Sequence, residues 1–304
     1  MAMEKVLKKR MKRTLSDKVF DTINIAFMVM IFAVTIYPLY FVIIASISDP
    51  YAVNQGKTLL LPYGISFTGY SEIFNDVSMW SGYKNTIIYT VLGTLISIAL
   101  TMTCAFGLSI KGLPAGKVIT WIIIFTMLFD GGMVPRYFVV RDLHMIDTIW
   151  ALVIPRAAWV FTIIIARTFI QQSIPHEIFE SAQCEGCSLS RYFFSIVVPL
   201  SSALVAILVL YYGVANWNSF FDAMIYLNKQ SMVPLSLVLR NILIANQMNM
   251  FISAGSADEL DAMIRKAETV KYVAVIFSSL PILCLYPFLQ KYFVKGIMIG
   301  AIKG

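Results

Sequence analysis

Few stretches of this chain hold side chains that could do chemistry. Cys184 and Cys187 stand in a C-x-x-C spacing. A dithiol couple or a zinc site would use such a pair, but zinc needs further ligands and only His176 is near. Gly112 to Lys117 approaches a phosphate loop. It has three residues between its glycines rather than four, Val118 replaces the Ser or Thr, and it follows an apolar run rather than a strand. His144 and His176 are the only histidines, and neither has a serine or cysteine at a catalytic spacing. Cys104 and Cys284 lie within apolar runs, so the four cysteines make no disulfide framework. The residues point to no catalytic centre, metal or cofactor. What remains is a polar stretch with three carboxylates, Glu177, Glu180 and Glu185, broken by Gly186 and followed by Pro199. Its chemistry is that of docking: fixed charge on a short helix.

The elements around that stretch are apolar. Of 304 residues 59% are hydrophobic and 13% charged, against about 25% charged in a soluble domain; mean hydropathy is +0.76. So much apolar surface needs lipid as its solvent. A spanning helix takes about 20 residues, and six runs qualify, near 22–47, 85–110, 118–139, 147–170, 192–215 and 269–293. The expected fold is all-α, a polytopic membrane protein of six transmembrane helices. Pro38, Pro199, Pro281 and Pro287 fall inside these runs, which favours kinked helices around a path over a rigid anchor.

Net charge is +7, and seven of the 24 Lys and Arg fall in the first 18 residues. This basic leader directly precedes an apolar run. That marks it as juxtamembrane charge on the cytoplasmic side rather than a nucleic-acid arm. With the N-terminus inside, the inner segments are 1–21, 111–117, 171–191 and 294–304. Together with the span ends beside them they hold 14 of the 24 basic residues, as the positive-inside rule requires. Both termini are then cytoplasmic. The domain reading is a basic segment 1–21, a permeating bundle 22–293 and a tail 294–304. Two long outer segments, 48–84 and 216–268, are expected to be structured, and Ser256 with Glu259 forms a capping box that predicts a helix over 257–268.

Within the inner stretch, about 173–187, Ser173 is expected to cap a helix whose first turn accepts Pro175 and favours Glu177. The helix continues through Glu180 and Ala182. Gly186 turns the chain, since it adopts a left-handed conformation without a Cβ penalty. Ser188 then caps the helix that enters the membrane.

Glu180, Ala182 and Gly186, then nine residues, then Ile196 and Pro199 resemble the EAA loop of ABC importer permeases. Ser181 stands where alanine is usual and Val198 where leucine is usual. The tail from Lys295-Gly296 to Gly300–Gly304, Gly131–Pro135 with Trp150–Pro155, and Asn216-Trp217-Asn218 with Phe220 are similar to the carbohydrate-importing type, in particular the smaller maltose-permease subunit. The likeness covers about 20–304. It implies the type I ABC importer permease fold, with the short helix docked on a separate ATPase. The implied coupling residues are Glu177, Glu180, Ala182, Glu185, Gly186 and Pro199. The implied partners are an ABC ATPase dimer that binds the ATP, a second homologous permease, an extracytoplasmic solute-binding protein and a carbohydrate, in a bacterial cytoplasmic membrane.

For the solute path the candidates are Tyr211, Tyr212, Asn216, Trp217, Asn218 and Asp222. Sugars take aromatic faces together with amide and carboxylate hydrogen bonds. An interfacial aromatic belt would place the same residue types at the same depth. The apolar runs hold almost no carboxylates: Asp130, Asp142, Asp147 and Asp222 sit at their outer edges. A gradient-driven carrier usually needs an intramembrane acid, and coupling to an external ATPase explains its absence. What the resemblance implies is therefore the expectation: an ATP-driven importer of a carbohydrate, in particular an oligosaccharide. An ABC permease for another solute and a secondary carrier are the alternatives.

Overall fold

The computed structural model describes residues 14–252 and 270–285, with 287 and 290. Among these the chain is helical, with no strand beyond one isolated bridge between Ser48 and Ile65. The helix expected over 257–268 and the tail 294–304 lie outside the described residues. The chain forms two units: described residues 14–70 with 270–276, and 71–252 with 277–285.

The first unit is built on α1, Leu15–Ser46. Thr14 caps it: its hydroxyl accepts from the Asp17 N–H, while the Asp17 carboxylate accepts from the Thr14 N–H. The capping box starts the helix at Leu15, seven residues before the apolar run expected from 22. At 32 residues, α1 exceeds a bilayer crossing. Its apolar side chains are exposed along nearly their whole length; only the last turn, Ile44, Ala45 and Ser46, is buried. Pro38 sits inside the helix. Tyr37 and Tyr40 donate to the carbonyls of Leu59 and Leu60, pinning the following loop, which contains α2, Pro50–Asn54, against the helix. α3, Thr68–Asn75, follows.

The second unit is organised by α4, Val77–Ser109. Thirty-three residues give a rod of about 50 Å, so α4 begins eight residues before the run at 85–110 and extends beyond the hydrocarbon. The expected third span, 118–139, is instead two helices, α5 (Gly116–Leu128) and α6 (Met133–Asp142), bent by 113°. Asp130 accepts from the Gly132 N–H and pairs with Arg136, and Gly132 has φ +88°. That local structure stops α5 after 13 residues. The run at 147–170 is likewise α7 (Trp150–Arg156) and α8 (Val160–Ser173), bent by 52° just after Pro155. The run at 192–215 is α10 (Leu189–Leu200) and α11 (Ser202–Trp217), bent by 80°. Among the described residues, two helices are long and apolar enough to cross a membrane alone, or up to five if each bent pair is one span. The segment 216–268, expected on the outer side, holds α12 (Phe221–Tyr226) and α13 (Leu235–Ile252). The last apolar helix, α14, is Val270–Leu285.

Why α4 packs so closely is read from its small residues. A Cβ on Gly93 would stand 2.8 Å from Nδ2 of Asn216, and one on Gly82 would meet the backbone of Leu235 at 3.1 Å. Without side chains at these two points, α11 and α13 lie directly on α4. Small residues are the usual means of close helix approach in lipid.

Candidate functional site

The polar stretch between α8 and α10 folds as a helix and a glycine turn. Pro175 disfavours helical geometry in the residue before it, and Ile174 is extended at φ −108°, ψ 109°. α9 then runs over His176–Cys184. Ser173 is not its cap. It is the last residue of α8, and Pro175 occupies the N-cap position without a side-chain bond. Gly186 has φ +71°. Its N–H reaches the Gln183 carbonyl at 2.9 Å, and the Cys187 N–H reaches the Ala182 carbonyl at 2.9 Å. This pair of bonds is the Schellman ending of a helix. It gives Cys187 a structural place as the partly buried residue beyond the turn, packed on the cluster that contains Ala182. Cys184 points outward, both thiols are free, and no group of metal-binding side chains occurs among the described residues. Ser188 caps α10, its hydroxyl accepting from the Arg191 N–H.

α9 has two faces. Phe179 and Ala182 turn inward. The Phe179 ring meets Tyr192 edge-on at 5.1 Å, and Phe106 of α4 lies 5.2 Å from Phe193. One apolar cluster therefore carries Ala182 of α9, Tyr192, Phe193 and Val197 of α10, Leu204 and Leu208 of α11, Ala166 and Ile170 of α8 and Ala105 of α4. Glu177, Glu180, Ser181 and Cys184, at helical spacing, turn outward with Glu185 beyond them. Glu180 is 64% exposed and 3.5 Å from His176 one turn back. An exposed pair of that kind contributes about 0–1 kcal/mol, so Glu180 is not there for stability. Three carboxylates protrude from a chain of net charge +7, which makes this an acidic knob on a basic protein.

Beneath α9 lies a cavity of about 440 Å³, with Phe106, Phe179 and Tyr192 as apolar lining and Ser109, Lys111 and Glu177 toward its polar side. Pro199 stands at the far end of α10. Between it and Tyr192 the helix widens into a π turn over Phe193–Val197.

The six solute-path candidates do not converge on one recess. Tyr211 is exposed on α11, whereas its neighbour Tyr212 is 1% exposed. The Tyr212 hydroxyl lies 2.7 Å from that of Thr101 on α4 and 2.6 Å from that of Thr162 on α8. Asn216 donates to Thr94, and the Trp217 indole donates to the Ser278 carbonyl at 2.9 Å. The Asn218 amide turns back onto the Val214 carbonyl. Asp222 pairs at 3.3 Å with Arg156, which also donates to Ser219. Tyr212, Asn216, Trp217 and Asp222 thus bind the bundle to itself, and Asn216 and Trp217 line different recesses. Arg156 is the addition the structure makes. A cation in the apolar run 147–170 was its visible signal, since charge at such depth is retained only with a partner. Beyond the helices, Asp147 accepts from the backbone and side chain of Asn228 and from the Lys229 N–H. These bonds, that from the Asn228 backbone foremost, hold its carboxyl below the usual carboxylate range.

A long apolar bundle with bent helices and a short, exposed acidic helix defines a helical membrane protein. Comparison with known proteins narrows that class. No protein-family model matches the sequence. Protein LplC of Bacillus subtilis is 35% identical over 294 residues, covering 97% of this chain and 98% of that protein. The polygalacturonan/rhamnogalacturonan transport system permease protein YtcP of the same organism is 33% identical over 95% of this chain and 100% of that protein. Among solved structures, a chain of a bacterial ABC transporter that imports the acidic polysaccharide alginate superposes with a TM-score of 0.82 at 29% identity, over 93% of this chain and 99% of that one. The chain belongs to the family of carbohydrate-importer permeases of ABC transporters. Its fold is that of an ABC importer permease, and its relatives are transport subunits rather than enzymes.

Proposed function

We propose that this chain is one permease of an ATP-driven importer of oligosaccharides, with α9 as the helix through which a separate ATPase drives it. The observation that carries the reading is the build of α9: it is closed by backbone bonds at Gly186, seated by Phe179 and Ala182, and turns Glu177 and Glu180 outward, with Glu185 beyond them. A surface of that kind suits a basic cleft on a partner, because complementary charge steers and orients docking. The ATP belongs to the partner. Each bent pair counts as one span and α14 as the sixth, which keeps both termini cytoplasmic and the acidic knob on the ATPase side. The exposed apolar faces of α1 and α5 meet lipid and a second, homologous permease, and a solute-binding protein delivers the sugar on the outer side.

For the substrate class, YtcP is named for a galacturonan and the solved relative for alginate. Both are polymers of uronic acids, so acidic oligosaccharides are the first solutes to test. Purifying the tagged chain from membranes should bring down an ABC ATPase and a second permease. The binding protein of that system, titrated with oligogalacturonides, oligoalginates and neutral oligosaccharides, should bind a carbohydrate. Recovery of the chain without an ATPase would sink the transport reading. An amino acid or peptide as the binding protein's ligand would sink the sugar.

A further inference from the structure

We infer that residues 193–201 form a pivot that turns movement of α9 into a change of the bend between α10 and α11, with Ser201 as its positioning residue. The inference rests on the reading of α9 as the ATPase-docking helix.

The observations meet at one place. The 80° bend falls at a single residue, Ser201, between Leu200 and Ser202. Just before it, Phe193–Val197 is a π turn in which the Val198 N–H reaches back to the Phe193 carbonyl. A π turn holds one residue more than an α turn. It returns to α geometry by exchanging hydrogen-bond partners, without breaking the chain's path. Pro199 has no N–H, so one carbonyl of the preceding turn lacks an amide donor in either register. Ser201 supplies the complement. Its N–H is divided between the carbonyls of Val197 at 2.9 Å and Val198 at 3.2 Å. Its hydroxyl is fully buried and has no hydrogen-bond partner among the described residues. A buried hydroxyl without a partner is costly, so a conformation that gives the Ser201 hydroxyl an acceptor, such as a carbonyl one turn back, is favoured over the present one.

Two further features make this place able to move. Tyr192 and Val197 line the cavity of about 440 Å³ beneath α9, so one flank of the turn faces open volume in an interior that is otherwise close-packed. Past the bend, Tyr212 fixes α11 to Thr101 and Thr162. A displacement of α9 therefore reaches α10 through the shared apolar cluster and is taken up at the pivot, because α11 is held.

The test uses the assembled importer, with both permeases, ATPase and binding protein, in lipid vesicles. Spin labels are placed at S190C on α10 and L210C on α11, in a background without the four native cysteines. ATP with vanadate should shift the 190–210 distance by more than the rotamer spread of the labels. Ser201→Ala should reduce that shift to less than half, and Ser201→Thr, which keeps a hydroxyl, should preserve it. Cross-linking of S181C to the ATPase and the melting temperature should be unchanged in both. A fixed 190–210 distance in an assembly that still cross-links through S181C overturns the pivot alone. Absence of that cross-link overturns the docking reading on which it rests. A full shift in Ser201→Ala, or loss of shift only in step with a lowered melting temperature, removes Ser201 from the role.

Discussion

The two ends of α11 are held in opposite ways. Toward Trp217 the contacts are directional: Tyr212 to Thr101 and Thr162, Asn216 to Thr94 over Gly93, Trp217 to Ser278, and Arg156 with Ser219 and Asp222 nearby. Toward Ser202 they are apolar and aromatic, beside a cavity, with Pro199 and a π turn in the chain. Hydrogen bonds have one good geometry, whereas apolar contact is non-directional and tolerates sliding. The first end is a fixed reference and the second an adjustable joint, and the acidic helix α9 is attached to the joint.

The largest effect should come from Arg156→Ala. It leaves the Asp222 side chain, 14% exposed, without its cation, at about 2–3 kcal/mol, below the 3–5 kcal/mol of a fully buried pair. Thermal unfolding in detergent should show a clear loss of stability; an unchanged melting curve would remove the pair from the fixed end. Gly186→Val forces a β-branched side chain to φ +71°, costing about 1–2 kcal/mol. It should detach the ATPase while the chain remains inserted, as read by pull-down from membranes. Tyr212→Phe removes the hydroxyl shared by two threonines. Thr162 also reaches the Trp159 carbonyl, so the loss should be about 1–2 kcal/mol, visible in the melting curve, with ATPase binding intact. Glu180→Gln should leave the melting curve alone and weaken ATPase association by about 0.5–1 kcal/mol, less so at high salt. Smallest is the acid response of the Asp147 clamp. Its carboxyl is held below 3.8, so its stabilisation is present above the unfolded value and fades as pH falls through the lower folded one. Asp147→Asn should flatten the melting temperature in that acid window, and a wild-type slope in the variant would show that the clamp contributes nothing.

The acidic helix attached to the joint was largely legible in the sequence. A polar stretch bounded by Pro175 and Gly186 has few ways to fold, and each of its helix signals is local. Ser173 misled because a serine two residues before Pro-His-Glu looks like a cap, while the constraint Pro175 places on Ile174 moved the boundary two residues on. The bends were less visible. The runs at 118–139 and 192–215 are apolar throughout, and apolarity alone does not report where a helix turns. Gly132 and Pro199 marked the places without giving the angles. The fixed end was hidden for a different reason. Tyr212 and Thr101 are 111 positions apart, and Arg156 and Asp222 are 66 apart, so which polar residues answer one another is a property of packing.

The Schellman turn at Gly186 is made of main-chain bonds, and the seat of α9 is made by Phe179 and Ala182. Neither depends on what stands at Glu177, Glu180, Ser181 or Cys184. Those four outward positions can therefore be rewritten without refolding the helix. A cell that carries several importers of this kind could give each its own lettering on the same scaffold and keep its motors from being exchanged.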